Sequence, residues 1–217
     1  MEQEWMPFII SIKTALTATM ITFFLGIFAA NKINKINPKH KGILDSLFTL
    51  PMVLPPTVIG FFLLVILGRN GFIGKLLYSI GINVIFSWGA TVIAAVVVSF
   101  PLMYSTAKGA FEQIDKNILN AAQTMGVSNF KIFWKIMIPL AWPGIAAGTI
   151  LSFARALGEF GATLMIAGNI PGKTQTIPLA IYFAAEGGDI QGALTWVYTI
   201  FGISLFTMIM MNFWNNY

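Results

Sequence analysis

The sequence predicts an all-α integral membrane protein with five transmembrane helices, the N-terminus outside and the C-terminus inside. Three observations carry this. The 217 residues are 57% apolar and only 10% charged, with a mean hydropathy of +0.78, whereas a soluble domain carries roughly a quarter charged residues. Five runs hold no charge at all: 14–31, 46–68, 76–107, 136–154 and 190–217. A crossing helix needs about 20 mostly apolar residues. These runs also lack the strict alternation of barrel strands, so helices are the structure that satisfies their backbone in lipid. Finally, the lysines sit mostly in two loops that five spans would place on one side.

The spans are expected near 7–31, 45–67, 87–108, 140–165 and 192–214. In the first, Lys13 lies about two turns in and is expected to snorkel to the outer interface. In the second, Pro51, Pro55 and Pro56 remove backbone donors, so the helix kinks or breaks there. A mobile pathway element and a static kink are both consistent with them. Gly81 and Asn83 interrupt the third run, and its first part reads as an outer loop. The fourth span carries Arg155 and Glu159, four residues apart on one helical face. Charges at this depth are costly and face a cavity or each other. Either the pair lines a pathway, with Arg155 favouring an anion, or the two neutralise each other and lock the packing. Gly144, Gly148, Gly158 and Gly161 give the same span a small-residue face suited to close helix contact, including a dimer seam. The stretch 177–185 is too short to span and reads as an outer re-entrant or interfacial helix.

Orientation follows from the loop cations. Lys32, Lys35, Lys39 and Lys41 occupy 32–41, and Lys108, Lys116, Lys131 and Lys135 occupy 108–135. The opposite side carries only Arg69, Lys75 and Lys173. The lysine-rich side is therefore cytoplasmic. Glu2 and Glu4 fit an exported N-terminus and argue against a cleavable signal peptide, which would start with a basic region. One transmembrane domain, 1–217, is expected, with a cytoplasmic loop at about 109–139 and an outer loop at about 167–191. The net charge of +5 comes without basic runs interleaved with aromatics, so nucleic acid is not an expected partner. Cysteine is absent, and His40 is the lone histidine, so no metal constellation can be assembled from the sequence.

The most informative segment is 120–139, NAAQTMGVSNFKIFWKIMIP, a polar and basic stretch between two apolar runs. Gly126 suits the left-handed turn that ends a helix. Ser128 is a plausible N-cap for a second helix through Lys135. Pro139 marks the start of the next span, and Ala121 and Ala122 project little, so a partner surface could approach closely. The competing reading is an amphipathic helix lying on the membrane, with Lys131 and Lys135 near headgroups and Phe130, Phe133 and Trp134 buried.

The spacing of Ala121, Ala122, Gly126, Ile136, Ile138 and Pro139 resembles the "EAA" loop of ABC-importer permeases, with Asn120 replacing the acid. The stretches at 50–74, 99–115 and 152–182, including NIPGKTQTIP, further resemble the molybdate/tungstate permeases among them. The resemblance implies a type I permease fold in the cytoplasmic (inner) membrane. It implies a homodimer, a pair of ATP-binding cassette ATPase subunits beneath, and an extracytoplasmic binding protein that delivers the oxyanion. ATP and magnesium would be held by the ATPase, with no cofactor and no catalytic residue in this chain. Coupling would fall to Asn120, Ala121, Ala122, Gly126 and Pro139. Candidate pathway or dimer-interface residues are Arg155, Glu159, Pro55 and Pro56. Pro171, Gly172, Lys173 and Thr174 would dock the binding protein at the outer mouth, with 176–185 belonging to an outer gate. Gly168 to Thr174 superficially matches a phosphate-binding loop, but only three residues separate its glycines where the motif needs four. Sulfate is the nearest alternative substrate. A stand-alone transporter or channel would need ion-coupling acids or a filter, and a lipid-directed enzyme would need convergent His, Asp or Ser. Neither set is present.

Overall fold

Trp88–Glu112 is the helix around which the others gather. The computed structural model describes residues 5–33 and 36–215; Glu2, Glu4 and Lys35 lie outside them, as does the side chain of Lys39. In chain order the helices are α1 (Met6–Ile33), α2 (Pro38–Val53), α3 (Pro56–Leu67), α4 (Phe72–Ser79), α5 (Trp88–Glu112), α6 (Lys116–Thr124), α7 (Asn129–Ile132), α8 (Ile138–Leu157), α9 (Gly161–Ala167), α10 (Ile177–Glu186) and α11 (Ile190–Asn215). A π-helical stretch, Phe133–Met137, joins α7 to α8. Among the described residues, four continuous helices are long and apolar enough to cross a membrane: Met6–Ile33, Trp88–Glu112, Asn129–Leu157 and Ile190–Met211. A fifth crossing would be the pair α2–α3, bent by 112°.

Small residues bring α1 and α5 together. Ala15, Ala18 and Ala95 are buried in one cluster, and a Cβ on Gly26 would stand 2.7 Å from Met103 Cγ. Close backbone approach of this kind replaces the hydrophobic drive that lipid cannot supply. The hydroxyls in the apolar stretch are satisfied locally. Thr19 and Thr22 donate to the carbonyls of Ala15 and Ala18 at 2.6 and 2.9 Å, while Thr14 and Thr91 meet across the seam at 3.0 Å. The Lys13 ammonium sits 4.3 Å over the ring of Trp88, the first residue of α5, an attraction between cation and aromatic face.

Two span expectations need correction. The second, 45–67, is not one helix: Leu54 precedes Pro55, which disfavours helical backbone there, and Pro55 is extended at φ −54°, ψ 136°. The fourth, 140–165, starts earlier and stops sooner. The rod begins at Asn129 and ends at Leu157, with Gly158 as its C-cap. Pro139 therefore lies inside that rod rather than at its start. Its ring would clash with the carbonyl four residues back, and the preceding π turn, where Ile138 N donates to Phe133 O, relaxes that conflict. The first part of the third run is partly helical, as α4, before Gly81 turns the chain at φ +80°.

The glycine face also splits. Gly144 packs on Ala110 and Gly148 on Thr106, both within this chain. Gly158 ends α8, and Gly161 lies against Pro56 and Thr57. The first two are therefore seams of the subunit, not of a dimer. The stretch 177–185 is indeed a short helix, α10. Ile177 N donates to Ser11 Oγ at 2.7 Å, which fixes it against α1.

Candidate functional site

The polar loop folds as a helix, a sharp turn and a second helix. Asp115 caps α6 by accepting from Asn117 N at 2.9 Å. The helix ends at Gly126 with φ +75°. Gly126 N donates to Gln123 O at 2.9 Å and Val127 N to Ala122 O at 3.1 Å, the hydrogen-bond pair of a Schellman turn. A Cβ on Gly126 would meet nothing within 4 Å, so backbone conformation rather than space asks for glycine. Ser128 Oγ then caps α7 through Lys131 N.

Asn120, Ala121, Gly126 and Pro139 are exposed, but Ala122 is buried against the bundle. Only one of the two alanines thus faces outward. Beside them stand Ile118, Met125 and Phe130, the last two 82% and 73% exposed. These apolar side chains were not among the expected coupling residues, although Met125 and Phe130 flank the glycine turn in an otherwise polar segment. Of the three aromatic residues Phe130, Phe133 and Trp134, the first and last are exposed on the subunit and Phe133 is buried on the core side against Phe28 and Phe111. A cavity of about 600 Å³ opens at the root of α6, between Gln113, Ile118 and Leu140.

Two helix breaks come together where Ile59 of α3 and Ala162 of α9 pack in one cluster with Ala90, Ala94 and Val98 of α5. Gly161, just past the α8 break, has Pro56 and Thr57 within 3.1 to 3.3 Å of its would-be Cβ. Arg155 Nη1 pairs with Glu159 Oε2 at 2.8 Å. They are not on one helical face, because α8 has ended before Glu159. The other oxygen of Glu159 accepts from Ala162 N at 2.7 Å. Glu159 is 3% exposed, and the Arg155 side chain is 33% exposed. The acid therefore holds the start of α9 while its partner stays open to the surroundings. Pro55 and Pro56 are exposed beside this junction.

The loop after α9 is a compact turn with Gly168 at φ +65° and Gly172 at φ +72°. Thr174 is fully buried, donating to Gly168 O at 3.2 Å and accepting from Ile170 N at 3.0 Å. Its side chain builds the loop and is not available for docking. Pro171, Gly172 and Lys173 are exposed.

Residues 22–215 match the family described as binding-protein-dependent transport system inner membrane component. The chain belongs to this family. It is thus a transport component of the inner membrane and not an enzyme. As a member of the family, this inner-membrane component is 49% identical over 199 residues (91% of this chain, 88% of the relative) to YvgM of Bacillus subtilis (strain 168), whose name gives it provisionally as a molybdenum transport system permease protein. It is 44% identical over 195 residues (88% and 85%) to the molybdenum transport system permease protein ModB of Escherichia coli (strain K12). At 36% over 206 residues (95% and 72%), it resembles a protein of Chlorokybus atmophyticus named provisionally as the sulfate transport system permease cysT. The fold matches an inward-facing structure of the MetNI methionine ABC transporter with a TM-score of 0.70 at 13% identity, covering 97% of this chain and 92% of that one.

Proposed function

We propose that this chain is the membrane permease of an ATP-driven importer for molybdate or tungstate. It works as a homodimer above two ATPase subunits and below an external oxyanion-binding protein. The observation that carries the reading is the similarity, over nearly the whole chain, to permeases named for molybdenum transport. The second reading, sulfate, rests on the lower identity to the cysT-named protein.

The geometry supports a mechanical role for the 120–139 loop. Asn120, Ala121 and the turn at Gly126 form the ATPase contact, widened by Met125 and Phe130. The lysine-rich end faces the cytoplasm. From Asn129 the chain runs as one helical rod to Leu157, about 43 Å at 1.5 Å per residue. A push on the loop therefore reaches the break at Gly158 without passing through a hinge. Arg155, the open member of its ion pair, lines the pathway there, and Pro55 and Pro56 give the adjoining wall its freedom. Closure of the ATPases holds the loops in one state only, and this differential contact drives the cycle. Selectivity resides largely in the binding protein, which docks at Pro171, Gly172 and Lys173.

The test is co-purification of the tagged chain in mild detergent. Recovery of an ATPase subunit in equal amount is expected. A chain that purifies alone as a stable folded oligomer would contradict the reading.

A further inference from the structure

The half-span α2 is attached to the bundle along one narrow face. Ile43, Leu47, Leu50, Met52 and Val53 are all exposed. Leu44 and Phe48 join the core, with Phe48 5.1 Å from the Tyr104 ring and 5.6 Å from Phe100. Beside this contact runs a ladder of polar groups. Tyr104 donates its hydroxyl to Asp45 Oδ1, Lys108 Nζ lies 2.6 Å from Asp45 Oδ2, and Lys41 Nζ lies 3.0 Å from Glu112 Oε1. On α5 these residues are 104, 108 and 112, one stripe at a four-residue repeat; on α2 they are 41 and 45. Tyr104 is fully buried, and the Asp45 and Lys108 side chains are about one-fifth exposed. Ionisable groups this sheltered in an apolar helix pair are expensive to keep, and apolar packing could have joined the two helices without them.

The stripe occupies the last three turns of α5, immediately before the segment that leads through the Asp115 cap into α6. On the other helix, Asp45 lies in α2, whose end at Val53 directly precedes the Pro55 break. We propose that Asp45, Tyr104 and Lys108, with the more exposed rung Lys41–Glu112, are positioning residues for transport. They strap α2 to the end of α5, so that displacement of the loop carries α2 with it and moves the wall at Pro55 and Pro56. This role rests on the importer reading. Directional ion pairs are suited to it because they fix the register of two helices, whereas a greasy contact would let them slide.

The experiment uses the whole importer reconstituted in vesicles, with molybdate as the probe, and reads molybdate taken up per ATP hydrolysed. Asp45→Asn and Lys108→Met are expected to lower that ratio by about tenfold, with hydrolysis persisting, in line with typical coupling between sites. The charge-inverted pair Asp45→Lys with Lys108→Asp restores it. Glu112→Gln, at the more exposed rung, gives a smaller loss without threatening folding. Crosslinking cysteines placed at Lys41 and Glu112, clean because the chain has no cysteine of its own, restores the ratio in Asp45→Asn. Singles that lose uptake only in proportion to assembled complex, or an inverted pair and crosslink that rescue nothing, would overturn the strap. A wild-type complex that takes up no molybdate would instead overturn the importer reading, and the strap with it.

Discussion

Gly126 and the Arg155–Glu159 pair show what single residues contribute. Gly126 holds φ +75° in open space, so Gly126→Val adds strain of about 1–3 kcal/mol without a clash. The variant is expected to assemble and hydrolyse ATP but to lose most of its uptake; simultaneous assays of both activities check this. The ion pair is asymmetric. Arg155→Gln leaves a nearly buried carboxylate unpaired, whereas Glu159→Gln leaves a guanidinium that water can still reach. Loss of one partner of a buried pair costs about 3–5 kcal/mol. Arg155→Gln should therefore lower the thermal midpoint of the detergent-solubilised protein more than Glu159→Gln, which can still accept from Ala162 N. Equal shifts would contradict this burial argument. Gly126 and Ser128 were legible because their chemistry is local to the turn. The inward turn of Ala122 was not, since which of two adjacent alanines faces out depends on how α6 lies on the bundle.

Among the elements, the helix breaks matter most. That the prolines interrupt the second span was readable; the 112° bend was not, because proline fixes only its own backbone and its neighbour's. The α8–α9 break was masked by composition. Gly158 and Gly161 read as a packing face, and four residues between Arg155 and Glu159 read as one helical turn. The decisive feature, Glu159 holding Ala162 N, is a non-helical contact with the same sequence spacing. The α2–α5 ladder was illegible for a different reason: its partners are 59 to 71 residues apart. The α5–α8 seam yields a firm prediction. A Cβ on Gly148 would fall 2.0 Å from Thr106 Oγ1, while one on Gly109 meets nothing within 4 Å. Gly148→Leu should abolish the folded subunit and Gly109→Ala leave it intact, as judged by monodispersity on size-exclusion chromatography. At the π turn, Pro139→Ala removes the clash and lets the helix regularise. That rotates the loop relative to α8, and uptake should fall while expression holds.

At the scale of the whole molecule, the apolar exterior is extensive. The spanning window of α11 buries none of its residues within the subunit, a face suited to lipid and to a second copy. The two ends differ in charge: Lys32, Lys41, Lys116, Lys131 and Lys135 gather at the α6 end. Cysteines introduced singly at Lys173 and Lys116 test the orientation. A membrane-impermeant maleimide should label the Lys173 position in intact cells and the Lys116 position only after permeabilisation; the reverse pattern would invert the topology. The importer reading is tested most directly by uptake of radiolabelled molybdate into vesicles containing this chain and its ATPase, with the binding protein and ATP supplied on their proper sides. We expect ATP-dependent accumulation that tungstate competes and sulfate barely affects. Accumulation without ATP, or none unless sulfate replaces molybdate, would contradict it.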